Sequence, residues 1–291
     1  MKIKGLIFYL LLFSLSVFAI TDSISVDFST NPEEMGFTYK GLLYDEEYNS
    51  ESIPPSPPSF QWNSTGKYLD CRWDSHENNA VFVKYLPFWI NDTSDFEFTA
   101  ILELNTIEAH DYFEIAIGFR NMGVTNFSRD GKEFGNDSDK HICKDIVEWG
   151  YVPANPYGNP LILPTICSDE GDDFMNNWDA STTTILQTNV KYKIHQYYDS
   201  TSRKWFCEMW QWDNNTDSWI GIHNDDVDTP VEVPSDKHFS LNAFAVNQYY
   251  DYADFFTYGT PDTKNHLEGK IYFLSYSADT NTLDVNGWQL Y

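Results

Sequence analysis

The densest chemistry in the chain lies in one short run, Trp205-Phe206-Cys207-Glu208-Met209-Trp210-Gln211-Trp212. Sugars present flat patches of C–H groups that pack on aromatic faces, and their hydroxyls need planar polar partners; a wall of rings with a few placed polar groups is the expected form of such a site. Read as a strand, the run puts Phe206, Glu208, Trp210 and Trp212 on one face and Trp205, Cys207, Met209 and Gln211 on the other. The second set has the character of core. The first is a candidate binding platform, with packing under a loop as the alternative. Tyr249, Tyr250 and Tyr252, with Asp251 and Asp254, form a second aromatic and polar cluster.

Carboxylates are the other candidate chemistry. Cys143-Lys144-Asp145-Ile146-Val147-Glu148 brings two acids close in sequence, and retaining glycoside hydrolysis needs two carboxyl groups about 5–5.5 Å apart. Acidic runs at Asp169-Glu170-Gly171-Asp172-Asp173 and Asp225-Asp226-Val227-Asp228 leave calcium open as a ligand, although neither follows the spacing of the twelve-residue calcium loop. A solvated acidic turn is the simpler account of both. The histidines His76, His110, His141, His195, His223, His238 and His266 are scattered without a metal-binding spacing. No nucleophile elbow, phosphate loop or dinucleotide fingerprint is present. No catalytic residue is assigned, no metal ligand is identified and no cofactor is expected.

The elements that must position these residues read as strands. Phe96 to Leu104 alternates; Phe113, Ile115, Ile117 and Phe119 share one face of a second strand against Glu114, Ala116, Gly118 and Arg120. Val190 to Tyr198, Lys204 to Trp212, Phe239 to Tyr249 and Lys270 to Tyr276 have the same character. Turn signals divide them at Asn63-Ser64-Thr65-Gly66, Asp130-Gly131, Tyr157-Gly158-Asn159-Pro160 and Asp213-Asn214-Asn215. With no convincing amphipathic helix, the pattern predicts an all-β, two-sheet antiparallel sandwich. Tyr44 to Ser59, with its proline cluster, and Asn121 to His141 read as long loops.

Lys2 and Lys4, the apolar run from Leu6 to Phe13, and Val17-Phe18-Ala19 have the order of a secretory signal over residues 1–19, leaving 20–291 as a single extracellular domain. No segment predicts a membrane span. The net charge of −26 argues against nucleic acid, which requires clustered cations. It serves solubility, with cation binding as the second account. Four cysteines in a secreted chain predict disulfides. The pairing offered is Cys143–Cys167 and Cys71–Cys207, with buried free thiols as the alternative.

Four segments carry a resemblance: Phe28-Ser29-Thr30-Asn31-Pro32-Glu33-Glu34-Met35-Gly36-Phe37, Phe113 to Phe119, Asp145 to Pro153, and Leu241-Asn242-Ala243-Phe244-Ala245-Val246. Together they resemble uncharacterised secreted bacterial domains with the concanavalin A-like lectin/glucanase jelly roll, over most of the chain. The resemblance implies two packed sheets, one of them concave. It also implies that Arg120 and Asn242 join Glu114 and Glu148 on the concave sheet. β-Glucanases of this fold carry a strand reading Glu-x-Asp-x-x-Glu. Here Asp145 and Glu148 match and Cys143 stands where the nucleophile belongs, so the resemblance does not carry that activity over. The expectation is a carbohydrate-binding, lectin-like, non-catalytic protein with a glycan or polysaccharide as partner, and with Glu114, Arg120, Glu148, Trp210, Trp212, Asn242 and Tyr249 as candidate binding residues. A structural cell-surface module and a polysaccharide-active hydrolase or lyase are the competing expectations.

Overall fold

The computed structural model describes residues 20–43, 60–74, 78–108, 114–121, 145–152, 160–168, 173–176, 185–222, 230–249 and 266–280. The described chain is a sequence of strands with a single 3-10 turn. In order these are β1 (Ile20–Val26), the turn Pro32–Met35, β2 (Phe37–Leu43), β3 (Phe60–Asn63), β4 (Tyr68–Asp74), β5 (Asn78–Asn91), β6 (Phe96–Glu108), β7 (Glu114–Arg120) and β8 (Ile146–Val152). There follow β9 (Leu161–Ser168), β10 (Asp173–Asn176), β11 (Lys191–Asp199), β12 (Lys204–Asp213), β13 (Ser218–Gly221), β14 (Val231–Glu232), β15 (Ser240–Tyr249) and β16 (His266–Thr280).

They form two antiparallel sheets. The larger has nine strands, in the order β13-β12-β11-β6-β16-β4-β3, with β1 alongside β16 and β14 alongside β12. The smaller has seven, in the order β10-β9-β8-β7-β15-β5-β2. The chain passes from one sheet to the other repeatedly, as between β5 and β6 at Asn91–Phe96, so both sheets are built from distant segments. This is the all-β sandwich that the alternation predicts.

Alternation explains which residues meet in the middle. In β6, Phe96, Phe98, Ala100, Leu102 and Leu104 are buried, while the intervening residues are half-buried or exposed. Inner residues of the two sheets interlock as aromatic pairs, Phe96 lying 5.0 Å from Phe119 and Phe98 5.6 Å from Phe244, while Phe119 and Phe244, neighbours within the smaller sheet, lie 5.3 Å apart, all at steep angles. Each such contact is worth about 0.5–1.5 kcal/mol beyond the area it buries. Trp205, Cys207 and Met209 face this core as their spacing predicts. Gln211 does not: it is half-buried, although its neighbours in register, Tyr192 and Leu102, are core residues.

Turns follow local chemistry. Asn31 accepts the Glu33 amide at 3.1 Å to start the 3-10 turn, and Gly36 ends it at φ 88°, a left-handed value that favours glycine. At the β3–β4 turn the Asn63 carbonyl accepts from Lys67 at 2.8 Å and its side chain accepts the Gly66 amide at 2.8 Å.

The cysteine pairing is corrected. Cys71 and Cys207 are both buried free thiols. Cys71 lies on β4 and Cys207 on β12, with β16, β6 and β11 between them in the sheet. Four strand spacings of about 4.8 Å hold them far beyond the ~7 Å limit for a disulfide. Burial, with Asp70 adding to it, pushes the Cys71 thiol well above its ordinary value. Cys143 and the Cys167 side chain lie outside the described residues, as does the segment 1–19 in which a secretory signal is expected. Among the described residues, no helix is long and apolar enough to cross a membrane.

Candidate functional site

The structure divides the residues that the sequence singles out between two surfaces on opposite sides of the sandwich. Glu114, Arg120, Glu148, Asn242 and Tyr249 lie on strands of the smaller sheet, whereas Trp210 and Trp212 lie on the larger. The core separates the two groups, so they do not form one site.

On the smaller sheet, Val147, Trp149 and Tyr151 of β8 belong to the core, which leaves Ile146 and Glu148 on the outer face. Register aligns Thr165, Glu148, Gly118 and Ala245 in one row across that face. Arg120 stands opposite Ile146 and therefore diagonal to Glu148. These outer-face residues are closed to solvent: Glu148 is 0% exposed, Thr165 1% and Arg120 3%. Gly118 lets β8 approach closely, since a Cβ there would stand 2.4 Å from the Val147 carbonyl oxygen. Asn242 sits at the β15 irregularity between Leu241 and Ala243 and is half-buried. The side chains of Glu114 and Tyr249 lie outside the described residues, as does the Tyr250–Asp254 cluster.

The carboxylates that raised the hydrolase expectation are Asp145 and Glu148. Asp145 precedes β8 and accepts the Ser240 amide at 2.5 Å, and its carbonyl accepts from Asn121 at 2.8 Å. Asp145 lies in a bend just before β8, and Glu148 lies within the strand. Cys143 lies outside the described residues.

The outer face of the larger sheet is different. Register lays out its rows as Glu97–Tyr197–Phe206, Thr99–His195–Glu208 and Ile101–Lys193–Trp210, with Trp212 opposite Trp219. Phe206 stacks on Tyr197 at 4.6 Å, and His195 stacks on Tyr197 at 5.6 Å. Both ring nitrogens of His195 meet carboxylates, Glu208 and Glu97, each at 3.0 Å. Lys193 lies over the Trp210 ring at 4.0 Å and reaches Trp219 at 5.5 Å. Trp212 meets Trp219 edge to face at 5.1 Å. The indoles of Trp210, Trp212 and Trp219 are all half-buried, so they form a ledge rather than core.

The strip continues across the sheet. Lys191 lies over Tyr272 at 4.2 Å, Tyr272 packs on Tyr68 at 5.7 Å, and Lys270 lies over Tyr68 at 5.3 Å. Burial, then the adjacent Glu103, pushes the Tyr272 phenol up to about 12, which keeps it a hydrogen-bond donor.

The β12–β13 turn that brings Trp219 back beside Trp212 is held by Asp213. Its carboxylate accepts the Asn215 amide at 2.9 Å and the Thr216 hydroxyl at 2.8 Å, and these bonds hold its pKa below the ordinary value. Beside this turn an open groove of about 430 Å³ runs between Trp212, Gln211, Asn214, Asn215 and Ile220. Apolar walls and amide side chains together suit a polyhydroxylated ligand. Trp219 and Lys193 escape a reading of one strand at a time. The signal for Trp219 is the hairpin register implied by Asp213-Asn214-Asn215 between Trp212 and Ser218-Trp219-Ile220.

Asp95, Glu97, Asp199 and Asp279 border a hollow of about 270 Å³ beside Tyr197. Three of these acids already accept hydrogen bonds, Asp95 from the Ser200 amide, Asp199 from Thr201 and Ser202, and Asp279 from Thr21. No group of three or more such side chains among the described residues is arranged to hold a metal ion. The runs at 169–172 and 225–228, and the side chain of Asp173, lie outside the described residues.

No protein-family model matches the chain, and no curated protein matches it. Solved structures do resemble it. Basic winged bean lectin with Tn-antigen is 12% identical, over 89% of this chain and 98% of that one, with a TM-score of 0.47. A Lotus tetragonolobus seed lectin is 11% identical over 88% and 98%, with a TM-score of 0.46. Lectin I from Ulex europaeus, in complex with the methyl glycoside of α-L-fucose, is 10% identical over 89% and 98%, with a TM-score of 0.44.

Proposed function

We propose that the protein is a secreted, non-catalytic carbohydrate-binding protein that takes its glycan on the outer face of the larger sheet, at Trp210, Trp212 and Trp219. The observation that carries this reading is the hairpin register. It places three half-buried indoles together on an outer face, and one of them, Trp212, also borders the groove at the β12–β13 turn with Asn214 and Asn215. Leaving large rings partly in water is tolerable for stability, and it provides the stacking surface that a pyranose ring needs. The arrangement favours binding over hydrolysis, because Asp145 is engaged with a backbone amide and Glu148 is fully buried.

Retention of the mature protein on a panel of immobilised polysaccharides tests it. Trp212→Ala should abolish retention and leave the melting temperature near that of the parent chain. Retention unchanged in both Trp212→Ala and Trp219→Ala removes the site from this face, and no retention on any glycan removes the function.

A further inference from the structure

Carboxylates outnumber cations in this chain by 44 to 18, so a surface lysine is surrounded by opportunities for ion pairing. Several basic groups take them: Lys204 meets Glu232 at 3.0 Å, Lys270 approaches Glu103 at 3.9 Å, and Arg203 pairs with Asp92. Lys191 and Lys193 do not. Among the described residues, neither has a carboxylate within salt-bridge distance, and each rests on aromatic rings instead, Lys193 on Trp210 and Trp219, Lys191 on Tyr272. The acid nearest in register, Glu103, is occupied by the Asn105 amide at 2.8 Å, the Tyr272 hydroxyl at 3.3 Å and Lys270.

The two lysines are two residues apart on β11, so they emerge on the same face about 6.6 Å apart along the strand. Both are half-buried, as are the indoles beside them. An ammonium seated on a ring keeps N–H donors for a further partner. Partial burial also strengthens its attraction to an anion relative to a fully hydrated lysine. A neutral glycan has no use for two uncompensated cations beside the rings it stacks on. A sugar whose acidic group projects from the ring edge uses both at once: the ring lies on indole and the anion meets an ammonium.

We propose that the ligand is an acidic polysaccharide built on uronate units, stacked on Trp212 and Trp219 with its carboxylates held by Lys193 and Lys191; this rests on the glycan-binding reading above. The protein's net charge of −26 opposes a polyanion at long range. At ~0.15 M salt the screening length is about 8 Å, so contacts inside the site decide the outcome.

The test is retention of the full mature chain, at that ionic strength, on beads carrying polygalacturonate, a neutral β-glucan or chondroitin sulfate. Retention on polygalacturonate over the β-glucan is expected. Lys193→Gln should weaken it about tenfold, the loss of one charge-assisted hydrogen bond, and Lys193→Arg should restore most of it. Lys191→Gln provides a second variant, and a thermal melt of each confirms the fold. Equal retention on neutral glucan, indifferent to Lys193→Gln, overturns the acidic-ligand inference and leaves glycan binding standing. Retention on the sulfated glycan alone overturns the uronate assignment. Retention on both polyanions that survives Trp212→Ala is ion exchange and overturns it as well. Retention on none of the three, with none on any wider panel, removes the function beneath it.

Discussion

The two outer faces of the sandwich carry similar residue types in opposite circumstances. On the smaller sheet, Arg120, Glu148 and Thr165 are buried in a closely packed layer with Val81, Val83, Ala243 and Ala245. On the larger sheet, Glu97, Glu208, Lys193 and three tryptophans stand half in water. A charge without water must be matched by protein groups in fixed geometry, and the cost of a mismatch is large. A half-buried ring or ion pair keeps solvent as an alternative partner, so its loss costs little stability. The first face is therefore committed to holding the fold, and the second is free to be used for recognition.

The sharpest way to break this contrast is Gly118→Val. The new side chain would press on Val147 and Glu148 backbone atoms, which cannot swing aside as a side-chain tip can. A loss of about 3 kcal/mol is expected, read as a lower denaturant midpoint. Glu148→Ala comes next: it removes a fully buried carboxylate from its partners and should cost ~2–3 kcal/mol in the same measurement. A loss below half a kcal/mol would mean that the smaller sheet's outer face is no more committed than the larger one.

Alkaline titration probes the interior between the two faces. Burial raises the Tyr151 and Tyr198 phenols from 10.0 to about 12. A folded-state value above the unfolded one means that their contribution is fully present below pH 10, declines between 10 and 12, and is gone above the folded value. The melting temperature should fall through that window, and Tyr198→Phe should flatten part of the decline. The smallest effect belongs to His195→Gln on the larger sheet. It removes both carboxylate contacts, but Glu97 and Glu208 can turn to water, so less than about 1 kcal/mol is expected by urea unfolding.

Much of this was legible in the residues. The division of Trp205 to Trp212 into a core face and an open face follows from the two-residue period, and so does the burial of Ile115, Ile117 and Phe119. Other features were hidden for physical reasons. Pro87 interrupts the apolar run of β5 and argues against a strand; it is accommodated where pairing with β15 lapses between Tyr85 and Ile90. Glu114, Ala116, Gly118 and Arg120 alternate with apolar residues as a solvent-facing set does. The same pattern serves a strand covered on both sides, and alternation cannot tell the two apart.

What the sequence by itself determined is therefore local: strand periodicity, turns built on Asn and Asp, the inward face of each strand, and the presence of stacking chemistry on β12. These depend on a residue and its near neighbours along the chain, where backbone geometry alone sets direction. Strand order and register were decided only in the tertiary structure. They keep Cys71 and Cys207 four strand spacings apart, separate Trp210 and Trp212 from Arg120 and Glu148, and bring Trp219 and Lys193 to the tryptophan ledge. Each of these is a contact between segments distant in sequence, chosen by the burial of a whole shared core, and no single segment contains the information to choose it.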